Sequence, residues 1–188
     1  MEKTAKIMTD TEIVQLMLDE RHQNTGLRQL MTCYQERLYW VIRRIVESHE
    51  DTDDVLQNTF IKAFKNIGRF EARSSLFTWL YRIATNEALS FKKSRMRKAI
   101  QRMPESGMVL AGGSVSNGPS EDQVLEKLES ALRTLPDRQR QVFEMRYYDE
   151  LSYEEIGQLL NLSEGALKAS YHHAAKKIEQ FLVETSTH

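Results

Sequence analysis

A predicted helix over residues 75–97 carries a row of aromatic, amide, hydroxyl and basic side chains that could bind a ligand. At about 100° per residue, six side chains line up on one face, about a third of a turn from an apolar stripe. They are Trp79, Arg82, Asn86, Ser90, Lys93 and Arg97. A tryptophan ring can stack on an unpaired base, an arginine can bind phosphate and an asparagine can hydrogen-bond a base edge. The face predicts contact with unstacked nucleic acid, although periodicity supports burial of Trp79 against a neighbouring helix almost equally well.

A basic run follows on the same helix. It has six cations and no acid among them: Lys92, Lys93, Arg95, Arg97, Lys98 and Arg102. Such a run is often only a solvated helix end. Because this one continues the face that holds Trp79, it predicts a track of phosphate contacts.

A second constellation, between residues 152 and 178, has the spacing of a helix-turn-helix. Ser152 and Glu155 form a capping box that opens a short helix. Gly157 is expected to let two crossing helices approach closely, and Asn161 suits a left-handed turn. Ser163 then caps the second helix.

The second helix of this motif has two predicted faces. Its inward side chains are Leu167, Tyr171, Ala174, Ile178 and Phe181, and its outward ones are Lys168, Ala169, His172, His173 and Lys176. Side chains near the start of such a helix reach base edges in a major groove. An ordinary helical hairpin with a solvated basic face is the alternative, but the combined pattern favours binding to duplex DNA.

Composition limits the class of protein. A chain of 188 residues suits one or two small domains, and 26 basic against 27 acidic side chains make the total charge uninformative. Cys33 has no partner for a disulfide, so we expect a small buried hydrophobe in a reducing cytoplasm. We find no apolar signal core at the N-terminus and no stretch of roughly 20 apolar residues, which favours a soluble cytoplasmic protein without membrane insertion.

Glycine and proline mark a domain boundary. Four of the 8 glycines and two of the 3 prolines lie between residues 103 and 120. This composition predicts a flexible linker between a domain over residues 1–102 and a domain over residues 121–188. Both domains have helical periodicity, so the predicted fold class is all-α.

Four helices are expected in the first domain. Thr9 and Glu12 form a capping box for the first, and the second should span about residues 25–46. Acids at residues 51–54 suit the N-terminus of the third. Ser74 or Ser75 should cap the fourth.

Three segments together resemble the extracytoplasmic-function (ECF) group of sigma factors. They are residues 51–67 (DTDDVLQNTFIKAFKNI), 70–98 (FEARSSLFTWLYRIATNEALSFKKSRMRK) and 135–178 (LPDRQRQVFEMRYYDELSYEEIGQLLNLSEGALKASYHHAAKKI). The resemblance covers nearly the whole chain outside the predicted linker. It implies two helical domains, sigma-two and sigma-four, joined by a linker that threads RNA polymerase.

The resemblance also implies a function. Such a protein directs bacterial RNA polymerase core to specific promoters and helps to open the DNA, with no catalytic residue, metal or cofactor of its own. The implied partners are the β′ clamp and β flap of the polymerase and promoter DNA. An anti-sigma protein that holds the factor inactive is common in the family and is an expectation here.

Three groups of residues match the functional positions of the family. The group implied to bind the polymerase clamp is Asp53, Asp54, Gln57 and Phe60. The group implied to recognise and melt the −10 element is Phe70, Arg73, Ser75, Trp79, Arg82, Asn86, Ser90, Lys93 and Arg97. The group implied to hold the −35 duplex is Arg146, Lys168, Ala169, Ser170, His172, His173 and Lys176.

The recognition helix departs from many relatives. Ser170 and His173 stand where arginine is frequent, and His172 stands where an aromatic residue is common. Fewer bidentate guanidinium contacts to guanine are therefore available. The −35 preference of a better-known member cannot be transferred to this chain.

Two other classes of protein remain open at this stage. A free-standing helix-turn-helix regulator with a ligand-sensing or dimerising N-terminal domain would explain residues 121–188, but not the basic helix with Trp79. A small enzyme or metalloprotein is disfavoured by a single cysteine, five dispersed histidines and the lack of a glycine-rich phosphate loop.

Overall fold

Helices make up all the regular secondary structure in the part of the chain that the structure, a computed structural model, describes: residues 8–102 and 121–186. The predicted all-α class is confirmed. The chain divides into two compact units, Met1–Pro104 and Glu105–His188. The linker predicted over residues 103–120 lies outside the described residues.

Within residues 8–102, the N-terminal unit has four α-helices and one short 3-10 turn. They are α1 (Asp10–Leu18), α2 (Gln23–Val46), α3 (His49–Asn66), the 3-10 turn Ile67–Arg69 and α4 (Leu76–Arg102). Helix α2 packs against α1, α3 and α4, and α3 also packs against α4. The largest fully buried apolar side chains here are Ile13, Leu30, Leu38, Ile42, Val55, Leu76 and Leu80. Each is worth roughly 1.5–3 kcal/mol relative to an exposed position.

Side-chain caps fix where α1 and α3 begin. The capping box predicted for α1 is confirmed, because Thr9 Oγ1 accepts from the Glu12 N–H and the Glu12 carboxylate accepts from the Thr9 N–H. Helix α3 begins before the acids that were expected to mark its start. Ser48 supplies its cap, with Oγ 3.4 Å from the backbone nitrogen of Asp51.

Two threonines belong to the buried face of α3. Thr52 donates to the carbonyl of Ser48 at 2.6 Å, and Thr59 donates to the carbonyl of Val55 at 2.8 Å. Both side chains are buried. A hydroxyl that is satisfied by the carbonyl four residues earlier can enter a core without an unpaired donor.

Cys33 is exposed, so the expectation of a buried thiol is wrong. The buried stripe of α2 passes through Leu30, Tyr34 and Leu38. Cys33 is one residue away from that stripe, which turns it by about 100° toward solvent.

Among residues 121–186, the C-terminal unit also has four helices. They are α5 (Glu121–Arg133), α6 (Asp137–Tyr147), α7 (Tyr153–Leu160) and α8 (Glu164–Ser186). Helix α8 packs against the other three. The apolar cluster between α8 and the helices before it contains Ala131, Leu132, Leu135, Phe143, Ala174 and Ile178.

The helix-turn-helix has the predicted turn with one different contact. Asn161 adopts the expected left-handed conformation, with φ 55° and ψ 50°. Gly157 was expected to make room for a crossing helix, but a Cβ there would lie 2.9 Å from the carbonyl oxygen of Leu162. Gly157 is therefore needed by the backbone of the turn itself, whose Leu162 N–H donates to the Gly157 carbonyl at 3.3 Å. Ser163 caps α8 by accepting from the Ala166 N–H at 3.3 Å.

Candidate nucleic-acid interface

The first turn of α4 is held by side chains from inside and outside the helix. Ser75 Oγ accepts from the Thr78 N–H at 3.1 Å, which identifies Ser75 as the cap. The Asp10 carboxylate, from α1, accepts from the Leu76 N–H at 3.2 Å. The Tyr34 hydroxyl donates to the same carboxylate, and burial followed by this hydrogen bond raises the pKa of Tyr34. A carboxylate at a helix N-terminus is favourable because it meets unpaired N–H groups and the positive end of the helix dipole.

Phe70 and Trp79 are brought together at this end of α4. Their ring centroids lie 5.5 Å apart, and both side chains are half-buried. Trp79 is therefore neither fully exposed for nucleic acid nor buried against a neighbouring helix. Its ring packs on Phe70 of the preceding loop and keeps part of its surface in solvent. Two residues of the −10 group thus form one aromatic surface.

The rest of the −10 group lies around and beyond this aromatic pair. The exposed members are Arg73, Ser75, Arg82, Asn86, Ser90, Lys93 and Arg97. Arg73 pairs with Glu71 at 2.8 Å in the loop. From Trp79 to Arg97 the helix rises about 27 Å, so the face is long enough to follow several nucleotides.

The basic run of α4 is divided between two uses. Lys92 donates to the Glu47 carboxylate at 3.0 Å and to the Ile45 carbonyl at 3.1 Å, and Arg95 pairs with Asp51. These two cations hold the end of α2 and the start of α3. Three further cations are exposed and form no ion pair within the described residues: Lys93, Arg97 and Lys98.

The clamp-binding group is divided by burial. Asp53, Asp54 and Gln57 are exposed on α3, whereas Phe60 is 4% exposed. The ring of Phe60 belongs to the core beside Thr59, so it is not available as a surface contact in this structure. Burying a large apolar side chain such as Phe stabilises the fold relative to leaving it in solvent.

An exposed aromatic cluster, which the sequence analysis did not single out, adjoins these acids. His49 pairs with Asp53 at 3.3 Å, and the Tyr39 ring lies 5.7 Å from His49 and 5.3 Å from Trp40. Trp40 is 55% exposed. Trp40 directly precedes Val41, which belongs to the apolar stripe of α2. This position turns Trp40 about 100° away from the stripe, and the sequence could have predicted its exposure from that.

The predicted outward face of α8 is confirmed. Lys168, Ala169, His172, His173 and Lys176 are exposed, and the predicted inward residues are buried or half-buried. Ser170 is half-buried at the edge of this face.

Arg146 and Lys168 meet at one aromatic ring. The guanidinium carbon of Arg146 lies 5.4 Å from the ring centroid of Tyr153, and the Lys168 ammonium lies 5.8 Å from it. Arg146 also donates to the Leu151 carbonyl at 3.2 Å. Arg146 therefore ties α6 to the chain that leads into α7.

Lys168 has a partner on its own helix. Its ammonium lies 2.7 Å from Glu164 Oε1, and this hydrogen bond raises the pKa of Lys168. Glu164 was missing from the predicted site. The spacing of an acid four residues before a lysine could have revealed it.

The described residues contain no group of three or more metal-binding side chains close enough to hold an ion. Among the helices of those residues, none is long and apolar enough to cross a bilayer.

Comparison with known proteins matches both units. The family model for sigma-70 region 2 matches residues 30–98, and the model for sigma-70 region 4 matches residues 125–178. The ECF RNA polymerase sigma factor SigW of Bacillus subtilis is 29% identical over 164 residues, which cover 81% of this chain and 87% of that protein. The ECF RNA polymerase sigma-E factor of Escherichia coli is 29% identical over 184 residues, or 92% of this chain and 93% of that protein.

Two solved structures have a similar fold. CnrH in complex with the cytosolic domain of CnrY has a TM-score of 0.64 at 21% identity, covering 93% of this chain and 97% of that one. RpoE of Bartonella quintana in complex with the anti-sigma factor NepR has a TM-score of 0.59 at 22% identity, covering 82% and 95%.

A helical unit with an aromatic, polar face and a second unit with a helix-turn-helix are features that suit a DNA-binding protein. The two family matches, together with relatives that align over most of their length, show that the chain belongs to the sigma-70 family, in its ECF group. It acts with RNA polymerase in promoter-specific initiation of transcription.

Proposed function

We propose that the two units divide the work of initiation. The N-terminal unit docks on the polymerase clamp and holds melted −10 DNA, and the C-terminal unit binds the −35 duplex. The observation that carries this division is the Phe70–Trp79 pair at the start of a solvated polar face, a surface suited to unpaired bases.

The −10 proposal rests on what an unpaired base requires. A half-exposed aromatic ring offers a stacking surface that a paired base cannot use, because its faces are already covered in the duplex. Asn86, two helical turns from Trp79, adds an amide for a base edge, and Lys93 and Arg97 add charge for phosphates. The capped start of α4 holds the ring pair in a fixed position.

The −35 proposal rests on the outward face of α8. Its first turns carry Lys168 and Ala169, and the following turn carries His172 and His173. The N-terminal residues of a recognition helix are those that contact base edges. Arg146 contributes by holding the helix-turn-helix together as well as by its charge.

The clamp proposal rests on Asp53, Asp54 and Gln57, which are exposed on α3. Phe60 supports this surface from inside and is no longer proposed as a contact. A basic partner surface would complement the acids of α3.

Family membership supports three further proposals. We infer that the chain contributes no catalytic group to RNA synthesis and works in the cytoplasm, where polymerase and promoters lie. We also infer an anti-sigma partner. Of the two solved proteins with a similar fold, RpoE is bound to the anti-sigma factor NepR, and CnrH is bound to the cytosolic domain of CnrY.

The experiment compares Trp79→Ala with Lys168→Ala in holoenzyme on two templates, a duplex promoter and one already melted across the −10 region. Stacking on an aromatic ring is worth roughly 1–3 kcal/mol per base, so Trp79→Ala should reduce open complexes by about one to two decades on duplex DNA. The melted template should restore most of that loss. Lys168→Ala should weaken −35 binding, with little restoration by melting. The salt slope should fall by about one unit if Lys168 exchanges Glu164 for a phosphate, and by less if that ion pair persists.

Trp79→Phe serves as the matched control, because it keeps a stacking ring beside Phe70. It should open DNA better than Trp79→Ala. Equal restoration of the Trp79→Ala and Lys168→Ala proteins on the melted template, or none for Trp79→Ala, would refute the division of labour.

A further inference from the structure

We infer that Glu164 is a base-specificity residue, whose carboxylate accepts a hydrogen bond from the exocyclic amine of a cytosine in the −35 duplex. The inference rests on the proposed placement of the start of α8 in the major groove. It adds an acidic reading residue to a surface otherwise proposed to bind through cations, small side chains and histidines.

The position of Glu164 is the first observation. It is the first residue of α8, just after the Ser163 cap, at the end of the helix that approaches base edges. Its side chain is 61% exposed, and that of Lys168 is 59% exposed. Both therefore lie on the surface that DNA would cover.

The pairing of Glu164 is the second observation. Oε1 is bonded to the Lys168 ammonium at 2.7 Å, whereas Oε2 has no hydrogen bond within the described residues. The ion pair restrains the carboxylate and leaves its second oxygen available as an acceptor on a side chain that is mostly exposed. A restrained acceptor loses less conformational freedom on binding than a free glutamate would.

The surroundings of Glu164 allow a close approach. Gly165 has nothing within 4 Å of the position of an added Cβ, and Ala166 and Ala169 are exposed one-carbon side chains. Between Glu164 and Lys168 the only long side chain, Leu167, is buried, so no exposed one prevents the carboxylate from reaching the floor of the groove.

The chemistry of the groove then selects cytosine. In the major groove cytosine presents an N4 amine donor with no acceptor beside it, whereas adenine presents its N6 donor next to the N7 acceptor and guanine presents two acceptors, N7 and O6. A carboxylate there is repelled by phosphates and by guanine acceptors, and only a donor such as cytosine N4 offsets that repulsion. Lys168 beside it can donate to a guanine, so the pair suits a C·G or adjacent C and G bases.

Glu164 also has a simpler possible role. An acid in the first turn stabilises a helix through its dipole. That role predicts a change in stability when Glu164 is replaced, with an unchanged base preference. Base selection is therefore the readout that separates the two roles.

The experiment selects bound promoters from a library with a fixed −10 element and a randomised −35 region. It uses holoenzyme reconstituted from core polymerase with the wild-type chain, Glu164→Gln, Glu164→Ala or Glu179→Gln. The last variant removes the same charge from an exposed position about 22 Å further along α8. Wild type and Glu179→Gln should select cytosine at one shared position.

Glu164→Ala should lose that selection by roughly five- to tenfold, and Glu164→Gln should shift it toward adenine, which a glutamine amide can pair with. Binding to unrelated duplex should stay equal or rise in both, because one negative charge is removed. Unchanged cytosine selection in both Glu164 variants would overturn the inference. Absence of any −35 selection by the wild type would instead remove the proposed −35 function on which it rests.

Discussion

The carboxylate of Asp10 accepts a hydrogen bond from the backbone N–H of Leu76 at 3.2 Å, across 66 residues of chain. This bond joins the first turn of α1 to the first turn of α4. Tyr34, in the middle of α2, donates to the other oxygen of the same carboxylate. The loop that carries Phe70 therefore ends at a point fixed by three helices.

Replacing Asp10 with alanine should destabilise the N-terminal unit. The change leaves the Leu76 N–H and the Tyr34 hydroxyl without their partner, and hydrogen bonds to charged groups are worth about 1.5–3 kcal/mol. We expect the free energy of unfolding to fall by about 2–4 kcal/mol, measured by denaturant titration. Glu20→Ala, which removes an exposed acid just after α1, is the control and should change stability much less. Equal losses would show that the contacts of Asp10 with α2 and α4 contribute nothing.

The difference in stability between wild type and Tyr34→Phe should depend on pH in a defined window. Burial and Asp10 raise the pKa of Tyr34 above its usual value of 10.0, so the folded unit holds the proton more tightly than the unfolded chain. The advantage of wild type over Tyr34→Phe is therefore fully present below about pH 10, where we expect about 1–3 kcal/mol.

Above about pH 10 the unfolded chain loses its proton while the folded unit retains it. The advantage should then shrink by up to about 1.4 kcal/mol per pH unit. Unfolding free energies between pH 7 and 11 test this, with Tyr147→Phe, exposed in the other unit, as control. A constant difference across that range would contradict the assigned cause.

Gly157→Ala should destabilise the C-terminal unit although Gly157 is helical. An exchange of this kind in a helix ordinarily gains about 1 kcal/mol. Here the added Cβ would lie 2.9 Å from the Leu162 carbonyl, a backbone atom that cannot move without opening the turn. We expect a net loss of about 1–3 kcal/mol by thermal unfolding.

Gly165→Ala is the matched control for that prediction. It makes the same exchange in the first turn of α8, where nothing lies within 4 Å of the added Cβ. It should be neutral or stabilise by up to about 1 kcal/mol. If Gly157→Ala proved as stable as Gly165→Ala, the turn would have more room than the structure gives it.

Asp54→Arg should weaken binding to core polymerase by roughly ten- to a hundredfold, because it puts a cation in an acidic surface. Titration of labelled chain with core gives the affinity. Glu154→Arg makes the same charge change on α7 and should leave core affinity much nearer to wild type. Phe60→Ala should act differently and lower stability by about 3–5 kcal/mol, because it empties part of the core. Undiminished core binding by Asp54→Arg would remove α3 from the proposed docking surface.

Features set by neighbouring residues in the chain were predictable from sequence. The capping boxes at Thr9 and Ser152 and the left-handed Asn161 each depend on side chains and backbone within about five positions. Their geometry is complete once those few residues are known. The sequence therefore predicted the helix-turn-helix almost to the residue.

Features set by the surrounding helices were not predictable in this way. Cys33 was expected to be buried from its residue type alone, yet it lies one position off the buried stripe of α2 and is exposed. Phe60, which the resemblance assigns to the polymerase contact, is buried in the core. Thr52 and Thr59 read as polar, yet their hydroxyls are satisfied within α3. The link from Asp10 to Leu76 leaves no periodic signal at all.

The division of the α4 cations changes what the salt dependence of DNA binding measures. Lys92 and Arg95 are already paired with Glu47 and Asp51, so they are less available to neutralise phosphates and release the cations condensed on a nucleic acid. Single-stranded DNA releases about 0.7 counterion for each phosphate that a protein neutralises. Counting every lysine and arginine in this segment would therefore overstate how steeply promoter opening depends on salt concentration. The overcount is Lys92 and Arg95, which hold the end of α2 and the start of α3.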